Sequence, residues 1–170
     1  IFVQLMHTGR ASHPANLPAG ARFLAPSAIP LPDQIWTDAN GMQPYPVPGE
    51  MSEADITQSI AEYANSAKLA MQAGFDGVEL HGANGYLIDQ FLNTASNQRN
   101  DRWGGTVENR IRFAVEVARA TVAAIGAEHV GMRISPYGAF NAMAPDAEMD
   151  ALYLRLIDEL NALGLLYIHV

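Results

Sequence analysis

The feature that most constrains this chain is an alternation. Short apolar runs rich in β-branched residues are each followed by a long stretch of helical period, and a polar group stands where each run ends. Ile1 to Met6 opens as a strand. Ser52 starts a helix in a capping-box relation with Asp55, and Ile56, Ile60, Tyr63, Ala67 and Ala70 recur at spacings of four and three until Gly74. Phe75 to His81 is a second strand. Thr106 opens a helix through Ile111, Ala114, Ala118, Val122 and Ile125, closed by Gly126, and Val130 to Ser135 is a third strand. Asp146 is the expected cap of a helix carrying Leu152, Leu156, Leu160 and Leu163, with Gly164 ending it before the apolar run Leu165 to Val170. Between the first strand and the first helix lies a loop-rich segment holding eight of the ten prolines, from Pro14 to Pro48.

Strands joined through helices imply a parallel sheet with right-handed crossovers. The fold class is α/β with four strands, in one unit over residues 1–170. Two architectures fit, a doubly wound open sheet or part of an eight-stranded (β/α)8 barrel, whose active face is built where its strands end. Polar groups recur at those ends: Gln4 and His7, His81 and Asn84, Arg133 and Ser135, and His169. This convergence favours a partial TIM barrel.

Charge and composition narrow the function classes. Ten basic against 18 acidic side chains give a formal charge of −8. Lys68 is the only lysine among them, so no basic stripe is present to grip a phosphate backbone and nucleic acid is not an expected partner. The absence of cysteine removes thiolate metal sites and thiol nucleophiles and agrees with a reducing, cytoplasmic setting. No apolar run reaches the roughly 18 residues of a membrane span. The histidines are scattered without metal-ligand spacing, so no metal is expected. The first residues are neither a methionine nor a basic signal region, and the expectation is a chain that begins within a fold.

The densest chemical cluster is Phe75 to Tyr86, where one strand end delivers an imidazole (His81), an amide (Asn84) and a phenol (Tyr86). His81 and Asn84 can both donate to one substrate oxygen as negative charge develops there. A phenol, with an ordinary pKa of about 10, is protonated at neutral pH as a general acid must be. The structural alternative makes His81 a satisfied core imidazole and Asn84 a turn residue. Arg133, between Met132 and Ile134, places a guanidinium where an electron-rich planar heterocycle could be tuned. Its structural alternative is an ion pair with Glu79 on the neighbouring strand. Gly82 to Gly85 is only Gly-x-x-Gly and is no phosphate fingerprint. The charged, glycine-bearing stretch from Asn97 to Phe113 is best read as an ordered, ion-paired loop before a helix.

Together, Gln4 to Arg10, Val47-Pro48 with Met51, Gly77 to Leu92, Asn97 to Phe113 and Arg133 to Gly138 resemble the old yellow enzyme family of FMN-dependent ene-reductases, in particular its bacterial xenobiotic-reductase branch. The resemblance runs from end to end yet covers only the third to sixth strands of the family's barrel. It implies that Gln4, Arg133 and His81 contact FMN, Gln4 at the pyrimidine edge and Arg133 near N1 and the C2 carbonyl. His81 and Asn84 would bind the activating oxygen of a small-molecule substrate, and Tyr86 would protonate the adjacent carbon. The implied cycle is ping-pong: NADPH or NADH reduces the flavin, and an activated alkene (an enone or nitroalkene, with nitrate esters as related substrates) takes hydride from flavin N5.

Two departures carry consequences. Met6 stands where family members commonly carry tryptophan, which implies a softer, roomier pocket wall. The first two and last two strands of the family's barrel are absent, and with them the usual phosphate site of FMN. The missing half is therefore expected from the rest of a longer chain, from another chain or by self-association, and FMN binding by these residues alone is expected to be weak. Competing functions are a barrel lyase or isomerase without flavin, using Tyr86 and His81 as acid and base, and a noncatalytic barrel fragment.

Overall fold

A computed structural model describes residues 1–170. One four-stranded parallel sheet holds the fold together: β1 (Phe2–Leu5), β6 (Gly77–Gly82), β7 (Val130–Ile134) and β8 (Tyr167–His169), adjacent in that order. Three long helices cross between consecutive strands, α1 (Glu53–Gln72), α3 (Val107–Ile125) and α4 (Met149–Ala162). The expected parallel α/β arrangement with polar strand ends is the one observed.

The helix starts follow local chemistry. Ser52 Oγ accepts from the Asp55 N–H while an Asp55 carboxylate oxygen accepts from the Ser52 N–H, so two N–H groups that the helix itself cannot pair are satisfied reciprocally. Thr106 caps α3 by accepting from the Asn109 N–H. The third expectation is corrected. Asp146 is not the N-cap of α4; Glu148 occupies that position without a side-chain capping bond. Asp146 lies two residues earlier, where its Oδ1 accepts from the Glu148 N–H at 2.9 Å while its Oδ2 accepts from the buried Arg110 Nη1 at 2.9 Å and from Thr94 Oγ1 at 3.0 Å.

The alternation of β structure sorts the sheet into two faces. Val78, Leu80, Val130, Met132 and Ile134 turn toward the helices and are completely or almost completely buried, packed with Ile56, Ala67, Phe113, Val117, Leu156 and Leu160. Burial of each large aliphatic side chain contributes roughly 1.5–3 kcal/mol, so this face supplies the adhesion of the domain. The opposite face carries Gln4, Glu79, His81, Arg133 and His169, all on the same parity of the register Gln4 to Glu79, His81 to Arg133 and Arg133 to His169.

Two strand pairs and a short helix lie outside the expected order. β2 (Leu24–Ala25) pairs in parallel with β5 (Gly49–Glu50), and β3 (Gln34–Thr37) forms an antiparallel hairpin with β4 (Gly41–Pro44) inside the proline-rich segment. A six-residue helix, α2 (Leu87–Leu92), follows β6 directly. No helix is long and apolar enough to cross a membrane.

Candidate active site

The polar face of the sheet is layered. Lowest are Phe2 and Tyr167, with ring centroids 5.7 Å apart; Gly131 lies under the Tyr167 ring, where a Cβ would stand 2.6 Å from two ring carbons. Only a glycine admits that approach. One layer up, Glu79 accepts from Gln4 Nε2 at 2.6 Å and contacts His169 Nδ1 at 3.2 Å. Burial pushes the Glu79 carboxyl up, but the hydrogen bonds from Gln4 and His169 outweigh it and hold the group below its ordinary range. The layer above holds His81 and Arg133, side by side in register.

One of the two expectations for Arg133 is removed by the contacts of this face. The ion pair with Glu79 does not form; the Glu79 oxygens are engaged by Gln4 and His169 instead. Arg133 has no carboxylate partner, and its Nε is buried without a hydrogen bond. His81 is 4% exposed with an unpartnered, buried Nδ1, so it is buried but is not the satisfied core imidazole of the structural alternative. Burial lowers the His81 pKa and the neighbouring Arg133 charge lowers it further, which keeps the imidazole neutral near pH 7, with one nitrogen donating and one accepting.

From the end of β6 the chain turns sharply. Asn84 has φ of +57°, its N–H donates to Ser135 Oγ at 2.8 Å, and its carbonyl accepts from Asn141 Nδ2 at 2.9 Å. The Asn84 side-chain amide is left free of hydrogen bonds within the chain. Tyr86 then stands against His81, ring centroids 5.2 Å apart and planes tilted by 55°. Imidazole, amide and phenol thus come from one strand and the turn after it, as the sequence suggested, and Arg133 joins them from the next strand.

Gln4 and Met6 are exposed, on the outer strand and just past its end. His7 lines a cavity of about 360 Å³ together with Gln4, Met6, Ser59, Glu62 and Tyr63, and its Nδ1 accepts from the Gly9 N–H at 3.0 Å. Burial lowers its pKa, against the opposing pull of Glu62.

Four residues that sequence reasoning did not single out for the site build its support. Asp89, 3% exposed, accepts from the Gly85 N–H at 2.8 Å and from Tyr153 OH at 3.2 Å. Gln90, fully buried, donates to the Gly85 and Thr8 carbonyls at 2.7 and 3.0 Å and accepts from the Arg10 N–H at 3.0 Å, tying the loop after β1 to the turn after β6. Asn141 and Tyr153 complete the set. The available signal was the spacing of Asp89 and Gln90, three and four residues beyond Tyr86, which returns a helical side chain beneath its own N-terminal turn.

A parallel barrel segment that carries an arginine and a neutral histidine near its strand ends, and an amide and a phenol in the turn that follows, defines a candidate ligand site at the mouth of a barrel. The chain belongs to the NADH:flavin oxidoreductase / NADH oxidase family, whose profile matches residues 1–168. It is 46% identical over 174 residues to a probable flavin mononucleotide-dependent alkene reductase of Leishmania infantum, covering 100% of this chain and 47% of that protein. It is also similar to the solved structures of the old yellow enzyme homologue from Zymomonas mobilis (TM-score 0.92, 36% identity, 99% of this chain and 46% of that one) and of morphinone reductase (TM-score 0.92, 37% identity, 99% and 46%). The chain thus spans about half the length of the relatives it matches, and its four-stranded sheet is a partial TIM barrel of the old yellow enzyme type.

Proposed function

We propose that this chain is the substrate-activating half of an FMN-dependent ene-reductase that uses NADPH or NADH to reduce alkenes conjugated to a carbonyl or nitro group. The observation that carries the proposal is the pair of orphaned groups on the polar face: Arg133 has no partner for its buried Nε, and His81 has none for its buried Nδ1. Buried polar groups without partners cost roughly 1–3 kcal/mol each; an electron-rich ring with carbonyl and nitrogen acceptors on its edge supplies what Arg133 lacks, and a substrate oxygen accepts the single N–H of the neutral His81. Gln4, fixed by Glu79 through one amide hydrogen, keeps its oxygen and second amide hydrogen for such an edge. The residues therefore fit FMN. When bound, FMN would pass reducing equivalents from the nicotinamide to the β carbon of the alkene.

The side chains account for the remainder. His81, neutral, and Asn84, with its amide free, donate to the carbonyl or nitro oxygen, on which negative charge grows as the alkene is reduced. Tyr86, ranged against His81, delivers its phenolic proton to the α carbon, so that two hydrogens add across the double bond. Arg133 lends positive charge to the reduced ring. Met6 forms a pliable wall of the substrate space.

β1 is paired only with β6, and β8 only with β7, so two parallel edges stand open. We propose that the remaining strands, and the phosphate anchor of FMN, come from further sequence of the same protein, as the twofold greater length of the relatives supports. Stopped-flow kinetics of the flavin-loaded barrel test the function. Tyr86→Phe is expected to leave flavin reduction within about twofold of wild type while slowing alkene-dependent reoxidation by about 10²-fold or more. Equal loss in both half-reactions would refute the role of Tyr86. A colourless protein that turns over substrate without a reductant would replace the proposal by a lyase or isomerase.

A further inference from the structure

We infer that Asp89 and Ser135 are positioning residues for the oxygen-binding and proton-donating groups, holding the Asn84-Gly85 turn so that the Asn84 amide and the Tyr86 phenol share one space with His81. The inference rests on the proposed function for its catalytic consequence and on hydrogen-bond geometry for its structural part.

Asn84 sits in the left-handed region, a conformation that a non-glycine residue keeps only where its surroundings impose it. Two consecutive N–H groups, of Asn84 and Gly85, point into the protein from this turn, a concave donor pair of the kind that attracts an anion. They are filled from within. Ser135 Oγ takes the first at 2.8 Å, an Asp89 carboxylate oxygen takes the second at 2.8 Å, and Ser135 Oγ lies 3.4 Å from that same oxygen. Asp89 is anchored from its other oxygen by Tyr153 OH at 3.2 Å, and no cation pairs with it. Burial pushes its carboxyl up to about 6.

Two consequences follow. The backbone donors of the turn are spent on Ser135 and Asp89, so they are not available to a substrate oxygen, and the donors to it are the side chains of His81 and Asn84. Tyr86, the residue before α2, takes its direction from a turn fixed on one side by the acid three residues later and on the other by the serine that follows β7. Neither Asp89 nor Ser135 need touch a ligand for a change in it to move Asn84 and Tyr86.

The test uses Asp89→Ala, Asp89→Asn and Ser135→Ala in the protein with its barrel complete. Without flavin, amide hydrogen exchange at Asn84 and Gly85 is expected to quicken by about tenfold or more in Asp89→Ala and to stay near wild type in Asp89→Asn, whose amide oxygen still accepts from Gly85. With flavin bound, Asp89→Ala is expected to weaken binding of a phenol, read from its charge-transfer band, and to slow alkene-dependent reoxidation, each by about tenfold, with flavin content and nicotinamide-dependent reduction unchanged and Asp89→Asn restoring both. Unchanged exchange and reoxidation in a folded Asp89→Ala overturn the inference. So does equal loss in flavin content and both half-reactions, the mark of general damage. If Asp89→Ala does not fold, Ser135→Ala decides in its place by the exchange of the Asn84 amide, fast for the inference and unchanged against it. A wild-type protein that takes up no flavin or reduces no alkene removes the proposed function, while the exchange comparison still decides whether these side chains hold the turn.

Discussion

Asp89→Asn should make this protein more stable, and by an amount that depends on pH. The native carboxyl is raised to about 6 by burial, against 3.8 in an exposed chain, because the hydrogen bonds from Gly85, Tyr153 and Ser135 only partly replace water. The folded state therefore holds this proton more tightly than the unfolded state. Its contribution is fully present below pH 4 and is lost as pH rises through 6, a loss of about 3 kcal/mol at roughly 1.4 kcal/mol per pKa unit. Asparagine carries no charge to desolvate. Its oxygen can keep the Gly85 bond, and its NH2 group meets Tyr153, whose hydroxyl hydrogen must turn elsewhere at a cost of about 1 kcal/mol. The variant should thus sit near or slightly below wild type at pH 4 and about 2 kcal/mol above it at pH 7.5. Urea unfolding at a series of pH values, with the slope of each transition checked for constancy, measures the difference. A stability difference that stays flat from pH 4 to 7.5 would refute the reasoning, since it would mean that water or a cation already compensates the buried charge.

Gly9 has φ of +56°, and a Cβ there would stand 2.7 Å from the amide carbon and nitrogen of the buried Gln90, so Gly9→Ala should destabilise the fold by about 3–5 kcal/mol through backbone strain and broken Gln90 bonds; a urea midpoint within experimental scatter of wild type would contradict this. His81→Ala combined with Asn84→Ala should weaken phenol binding by more than either change alone, about 10²-fold for the pair, and an unchanged charge-transfer band at unchanged affinity would move the oxygen site elsewhere. Arg133→Met, which keeps the apolar stem and removes the charge, should lower flavin affinity by about tenfold or more and make the bound flavin harder to reduce; an unchanged potential by spectroelectrochemistry would count against contact with the ring.

What was legible in the letters was what repeats. Helices with one apolar stripe declare themselves, so α1 and α3 start at the expected caps, and the polar residues closing each strand pointed to a barrel face. The short helix α2 gave no such sign, because all six of its side chains are buried and none marks a solvent face from which a period could be read. Yet it carries the acid and amide that support the turn. Asp146 differs from its expected role for another reason. A cap and a salt-bridge partner look alike in sequence, and this carboxylate divides its oxygens, one accepting the Glu148 N–H ahead of the helix and one accepting from Arg110, 36 residues earlier in the chain. The pairing of Arg133 with Glu79 was open because the groups that engage the Glu79 oxygens instead, Gln4 and His169, come from opposite ends of the chain.

The orphaned groups gain meaning when sorted. Arg10 and Arg110 also have a buried Nε without a partner, but their terminal nitrogens are satisfied, Arg10 by the Asn141 and Ala142 carbonyls and Arg110 by Leu92, Asp146 and Glu148. Both serve to tie loops together. Arg133 makes no hydrogen bond or ion pair through any side-chain nitrogen, and His81 makes none through either ring nitrogen, although the two lie in register near the ends of neighbouring paired strands. A sequence settled for stability alone would place apolar side chains there, as it does at the alternate positions Leu80, Met132 and Ile134 facing the helices. The free energy withheld on this face, roughly 1–3 kcal/mol for each unmet group, would be recovered by ligands that bring hydrogen-bonding partners to both. Ligand binding and folding would be coupled on that account, and a flavin held on this face should raise the unfolding temperature with the logarithm of its free concentration above Kd. A flavin-dependent rise that persisted unchanged in the Arg133→Met, His81→Ala double variant would place the ring on some other surface.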